Sequence, residues 1–268
     1  MFQPIIPSQG LAGWGFLQST LEIQKESVLS TPQTKQDIEY FTSKYPTVSS
    51  ASDLVNDRRL LSVALTAFGL SADIDNKAFI QKVLDEGTSS PDALANRLAD
   101  DRYRKFSMAF GLEIGQINRE TRSDFLNRIV NLYENQKFQI AVGEVDDSMR
   151  IALHAQRELE RMSTNSSSND VKWLNVLGSP PLRDFFVTGF GLPQSVSQLD
   201  IDRQLEILKD KASQKFGSNK IEKFRDSSLV DDMVTSYFSN KQIKGLLSQM
   251  SASSVALSLL RSVSPQGY

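Results

Sequence analysis

The chain has 268 residues, 40% of them hydrophobic and 23% charged, with a formal net charge of −2. That length accommodates one large domain or two small ones around a sizeable core, and the composition excludes wholesale disorder. The 30 Lys and Arg residues are interspersed with 32 Asp and Glu, which argues against a nucleic-acid partner, because duplex affinity depends on concentrated phosphate-neutralising charge.

The absence of cysteine removes disulfides, thiol nucleophiles and Cys-based metal sites, and His154 is the single histidine. No metal or cofactor is therefore expected. The opening MFQPIIPSQG has no basic segment, and Pro4 and Pro7 break its apolar run, so a cleaved secretory signal is not expected. No apolar stretch reaches the roughly 18 residues of a membrane-spanning helix. The default expectation is a cytoplasmic protein without membrane insertion, with export that reads no cleaved signal left open.

Residues 1–33 read as an N-terminal arm. Gly10, Gly13 and Gly15 surround Trp14 and Phe16 and suggest a backbone turning closely around the indole, followed by a helix through Leu17, Leu21, Ile23 and Val28. The same glycines do not make a phosphate loop, since no strand precedes them and no Gly-Lys-Ser/Thr follows. Ser30, Thr31 and Pro32 end the helix.

Residues 34–163 read as a first helical module plus a long connecting helix. Ile38, Phe41 and Tyr45 share a helix face, and Ser49–Asp53 supplies cap-type residues before a run from Leu54 to Phe68 that Gly69 stops. Phe79–Leu84 forms the next helix. Pro91 opens another that reaches Phe110 with a break near Asp100. The pattern predicts a helical stretch over 118–162, interrupted at Gly143.

The polar segment Ser163–Asp170 reads as a linker into a second module plus C-terminal helix, residues 164–268. Phe68-Gly69-Leu70 returns as Phe110-Gly111-Leu112 and as Phe190-Gly191-Leu192. Asp73-Ile74-Asp75 returns as Asp200-Ile201-Asp202, and the helix ending at Phe110 has a counterpart in Ile221–Phe238. The expected fold is an all-α, multi-helical body of two similar modules joined by a long helix, with the arm and the final helix outside them.

The charged clusters have simple structural readings. Counted from Asp73, a calcium loop would place Lys77, Ala78 and Leu84 where an oxygen ligand, glycine and glutamate are needed, so helix-dipole contacts explain the Asp-Ile-Asp pairs better. Asp57-Arg58 and Asp101-Arg102 read as salt bridges. Neighbouring carboxylates such as Asp146/Asp147 point apart on a helix and give no acid–base pair. His154, without an accompanying nucleophile motif, reads as a helix-surface residue, and no catalytic residue is assigned.

Two readings are open for the final helix: docked on the body, or exposed and pairing with another chain. On the second, Leu246, Met250, Leu257 and Leu260 share a face. With Trp14, Phe16 and Leu17 of the arm they form the candidate partner-binding set.

Several segments resemble a known family. Pro4-Ile5-Ile6-Pro7, Gly10-Leu11-Ala12-Gly13-Trp14 and Asp53–Leu61 running into Ala67–Leu70 are similar to the bacterial family called domain of unknown function 1217. Phe79–Gly87, Ala95–Asp100, Met149–Leu153, Trp173, Leu182 and Gly191-Leu192-Pro193 extend the likeness over nearly the whole chain, more loosely after Ser163. The family has no established activity, so the resemblance carries over no catalytic residue or cofactor. Its members are often encoded among flagellar genes, which implies a bacterial source and a structural or assembly role around the flagellum. The expectation is a non-enzymatic interaction protein whose partner is a flagellar component or a second copy of itself. The alternative is a cytoplasmic chaperone or regulator that holds an exported helical segment.

Overall fold

The computed structural model describes residues 3–98, 100–113 and 122–262; for residues 122 and 249–262 only the backbone is described. The protein is all-α, with no strand among the described residues. In chain order the helices are α1 (Gly10–Ser19), α2 (Leu21–Leu29), α3 (Pro32–Lys44), α4 (Ala51–Asn56), α5 (Arg58–Ala67), α6 (Lys77–Glu86) and α7 (Leu94–Arg97). They continue as α8 (Asp101–Phe110), α9 (Arg122–Val145), α10 (Asp147–Thr164), α11 (Asn169–Gly178), α12 (Pro180–Gly189), α13 (Ile201–Phe216) and α14 (Ser227–Ser262). Short 3-10 turns occupy Tyr45–Thr47, Ser71–Asp73, Gln194–Gln198 and Ile221–Arg225.

Side-chain caps set several of the helix starts, because the first N–H groups of a helix lack intrahelical acceptors. Ser50 and Asp53 cap each other reciprocally at the start of α4 (Asp53 N–H to Ser50 Oγ, 3.1 Å; Ser50 N–H to Asp53 Oδ2, 3.0 Å). Asp57 accepts from the Arg59 and Leu60 amides at 3.0 Å and starts α5. Asp100 accepts from the Arg102 amide at 3.0 Å and starts α8, which places the break expected near Asp100.

Three readings of the sequence need correction. The glycines around Trp14 do not form a turn: Gly13 and Gly15 lie inside α1, and of these residues only Gly10 has positive φ. Burial of Trp14 and Leu17, one helical turn apart, outweighs the poor helix propensity of glycine. The stretch expected over 118–162 includes two helices that divide at Asp146 rather than Gly143. The Asp146 carboxylate accepts from the amides of Ser148 (2.8 Å) and Met149 (3.3 Å) and so starts α10, while Gly143 stays within α9. The two Asp-Ile-Asp motifs also do different things. Asp200 caps α13 through the Arg203 amide at 2.9 Å, whereas Asp73 accepts from the Tyr103 hydroxyl (2.7 Å) and the Asn76 amide group (2.8 Å), and Asp75 pairs with Arg58.

The chain forms two compact units, residues 1–7 with 16–154 and residues 8–15 with 155–268. In the first, Leu61, Ala64 and Leu65 of α5 lie fully buried with Phe41, Leu84, Phe106 and Ile129. Tyr45 stacks between Phe41 (5.2 Å) and Phe125 (4.7 Å), and Phe110 meets Phe125 edge-on at 5.4 Å. Offset and edge-on rings of this kind add to the area that they bury.

In the second unit the core is also aromatic. Phe186 of α12 touches Trp173 (5.1 Å) and Phe224 (5.8 Å), and Phe185 meets Tyr237 of α14 at 5.2 Å. Trp14 packs on Phe238 at 5.6 Å. The fully buried Lys172 is paired with Glu222, and its neighbour Trp173 donates its indole N–H to Asn219 O at 2.7 Å. Burial of that ammonium is tolerable because the charge is paired.

Candidate functional site

Two of the Phe-Gly-Leu triplets fold into the same glycine cap. At the end of α5, Gly69 N–H donates to Thr66 O (2.9 Å) and Leu70 N–H to Leu65 O (2.8 Å). At the end of α12, Gly191 N–H donates to Thr188 O and Leu192 N–H to Val187 O, both at 2.9 Å. The glycines sit at φ 71° and 66°, a region that a Cβ disfavours, which is why glycine ends both helices. Leu70 and Leu192 are buried as the accompanying apolar contacts.

The surroundings of the two caps differ. Beside Gly69, the Arg102 guanidinium donates to Gly69 O and is gripped by Asp100 (Nη2 to Oδ2, 2.6 Å; Nε to both oxygens, 3.0 Å). Burial alone would raise the Asp100 carboxyl, but the hydrogen bonds and charge of Arg102 outweigh it and hold Asp100 below the usual carboxylate range. Tyr103, partly buried and bonded to Asp73, is pushed up to about 12. Asp100 and Arg102 thus satisfy each other as an ion pair and helix cap, and Asp73 and Tyr103 as a hydrogen bond between the 3-10 turn and α8.

Beside Gly191 there is instead a cleft of about 490 Å³. It is lined by Gly189–Gly191 at the end of α12, by Lys211, Gln214 and Lys215 of α13, and by Thr235, Ser236, Ser239 and Asn240 of α14. Asn240 Nδ2 donates to Thr188 O (3.0 Å) and Gly189 O (3.2 Å), and Lys215 Nζ donates to Ser236 Oγ at 2.7 Å. A Cβ on Gly189 would fall 2.5 Å from Met233 Cε, so glycine lets α12 and α14 approach closely here. The sequence reading passed over this cleft. Its only trace there is Lys at i and i+4 on one helix and small polar residues at i, i+3 and i+4 on another, which any solvated face can show.

α14 changes character along its length. Met233, Val234, Tyr237 and Phe238 are core residues, and Lys244 Nζ still reaches Leu192 O at 3.3 Å. Ile243, Leu246 and Leu247 are then 52%, 55% and 59% exposed. Positions 243, 246 and 247 follow the i, i+3, i+4 spacing of one helical stripe.

The candidate partner-binding residues fall into three groups. Trp14 and Leu17 are buried by this chain's own residues, while Phe16 is 38% exposed and Leu246 lies in the exposed stripe. The side chains of Met250, Leu257 and Leu260 lie outside the described residues. Ile243 and Leu247 join the set from the structure. His154 is half-buried within α10. Among the described residues, no group of three or more His, Asp or Glu is placed to hold a metal ion, and no helix is long and apolar enough to cross a membrane.

The fold and its surface features define an all-α protein of two compact helical units, with a polar cleft and an exposed apolar stripe in the second. The sequence model of the family described as "Protein of unknown function (DUF1217)" matches residues 67–230, more than half of the chain, and the protein belongs to that family. The chain is also similar to the crystal structure of protein AGR_C_984 from Agrobacterium tumefaciens. The TM-score is 0.70 and the identity 23%, over 91% of this chain and 98% of that one. At that identity the likeness concerns the fold. No curated protein matches the chain.

Proposed function

We propose that the protein is a non-enzymatic interaction protein that binds a helical segment of a flagellar component through the outer part of α14. The observation that carries the reading is the run of Ile243, Leu246 and Leu247, each more than half exposed on a helix whose earlier part is core. Apolar side chains on one stripe are what an opposing helix covers. In sequence, Ile243, Leu246, Met250, Leu257 and Leu260 keep the alternating three- and four-residue spacing of a two-helix seam, with Ser253 in the remaining place. The flagellar setting rests on the family resemblance.

The test uses the full chain with Leu246→Asp and Leu247→Asp together, in pull-downs from the native host with and without flagellar assembly, followed by separation of cytoplasm and filament. The reading expects a flagellar protein to be captured by the wild type and lost with the double variant, with the melting temperature of the body unchanged. Equal capture by both proteins would overturn this interface. Capture of an exported subunit only in the cytoplasmic fraction would replace a structural role by that of a chaperone. Self-association that disappears in the double variant would make a second copy of the chain the occupant.

A further inference from the structure

We propose that the cleft beside Gly191 binds a small molecule through a divalent oxyanion group, a phosphate or a pair of carboxylates. The charges around it carry the argument. Two lysines of this unit have carboxylate partners among the described residues: Lys172 pairs with Glu222 and Lys209 with Asp170. Lys211 and Lys215, also cleft-lining, have none among the described residues; they bond Gln214 Oε1 (3.4 Å) and Ser236 Oγ (2.7 Å). None of the ten residues lining the cleft is acidic.

Lys211 and Lys215 are neighbours on one helix face, about 5–6 Å apart at Cβ, where two like charges repel mildly. A divalent anion between them offsets both charges, and the hydroxyls of Thr235 and Ser239, which also line the cleft, supply further donors. Polar groups on two helices thus line one cleft, beside the Gly189–Gly191 segment at the end of α12. The volume lies within the range of small-molecule sites and exceeds that of inorganic phosphate, so the oxyanion is the anchored end of a larger ligand. The cap at Gly69 makes the contrast clear: there the chain places its own guanidinium and the carboxylate that neutralises it.

The experiment is an amide-shift titration of the isotope-labelled full chain with inorganic phosphate, pyrophosphate and succinate, each at constant ionic strength set with chloride. The expected result is saturable shifts confined to Gly191, Lys215, Ser239, Asn240 and their neighbours. Saturation by the phosphates alone identifies a phosphoryl ligand, and by succinate alone a dicarboxylate. Lys211→Gln with Lys215→Gln should weaken binding at least tenfold, as expected for losing charge-assisted hydrogen bonds, while Lys25→Gln with Lys35→Gln leaves it unchanged. Ser239→Asp, which adds a carboxylate to the cleft without removing a lysine, should abolish the shifts and serves if the double variant does not fold. Non-saturating shifts spread over the surface would overturn the proposal, as would equal affinity in the cleft variants or the same response to chloride.

Discussion

The glycine caps at Gly69 and Gly191 have one backbone and two environments. Both end a helix through the same pair of amide-to-carbonyl bonds, and both bury the leucine that follows. At Gly69 the neighbouring helix supplies Arg102, already neutralised by Asp100. At Gly191 the neighbouring helix supplies the uncharged Asn240, and the cations at hand, Lys211 and Lys215, face a cleft. The difference teaches that a short local sequence fixes the turn of the chain, while residues far along the sequence decide whether that turn is closed structure or open site.

The largest expected effect comes from removing what covers the first cap. Arg102→Ala strips a donor from Gly69 O and leaves the Asp100 carboxylate, less than a third exposed, without its counter-charge. The expected loss is about 2 kcal/mol, within the range for a charge-assisted hydrogen bond whose partner is left behind. Lys215→Ala beside the second cap removes an exposed ammonium from one hydroxyl and should change stability by less than about 0.5 kcal/mol. Urea denaturation of the two variants checks the contrast. Equal losses would mean that the second cation is as structural as the first.

Much of this fold is legible because its signals are local. Ser50, Asp57, Asp100 and Asp200 are cap residues placed ahead of apolar runs, and each starts a helix in the structure. The Phe-Gly-Leu triplets likewise announce their helix ends. Competition between two adjacent signals is harder to read: Gly143 looks like the breaker of the long stretch, but the Asp146 carboxylate, which satisfies two amides of the next helix, sets the boundary. In α1, tertiary burial of Trp14 and Leu17 overrides three glycines, and no local rule measures that burial. The cleft is least legible of all. Its residues come from the end of α12, from α13 and from α14, and only packing brings them together.

The glycines themselves give the next, smaller effect. Gly69→Ala and Gly191→Ala each force a Cβ into the positive-φ region, at a cost of about 1–2 kcal/mol. Neither new methyl would clash: the nearest side-chain atoms are Gln136 Nε2 at 3.5 Å for position 69 and Asn240 Nδ2 at 3.6 Å for position 191. The backbone term should therefore dominate, and the two losses should agree within about 0.5 kcal/mol. Thermal melts of the single variants measure it. A much larger loss at one position would show that the caps differ in strain as well as in surroundings.

The smallest effect separates the two units by acid. Asp100 starts α8 and Asp226 precedes α14, and both carboxyls lie below the ordinary carboxylate range for different reasons. Burial works against ionisation of Asp100, and the Arg102 hydrogen bonds and charge overcome it; Asp226 is exposed and is lowered mainly by the Ser228 hydroxyl and amide. A carboxylate whose folded value is depressed contributes stability that is present above its unfolded value of about 3.9 and lost as pH falls through the folded value. Stability from Asp100 should therefore persist at neutral pH and fade below about pH 4, by less than about 1 kcal/mol for a partly exposed ion pair. Asp100→Asn, which still accepts the cap hydrogen bond but carries no charge, should flatten the acid limb of a stability–pH profile measured between about pH 6 and pH 3. Arg102→Ala should flatten it to a similar extent, since the depression needs both partners. If Asp226→Asn flattens the profile as much as Asp100→Asn, hydrogen bonds at exposed helix starts account for the acid sensitivity, and pairing with Arg102 gives Asp100 no electrostatic advantage over Asp226.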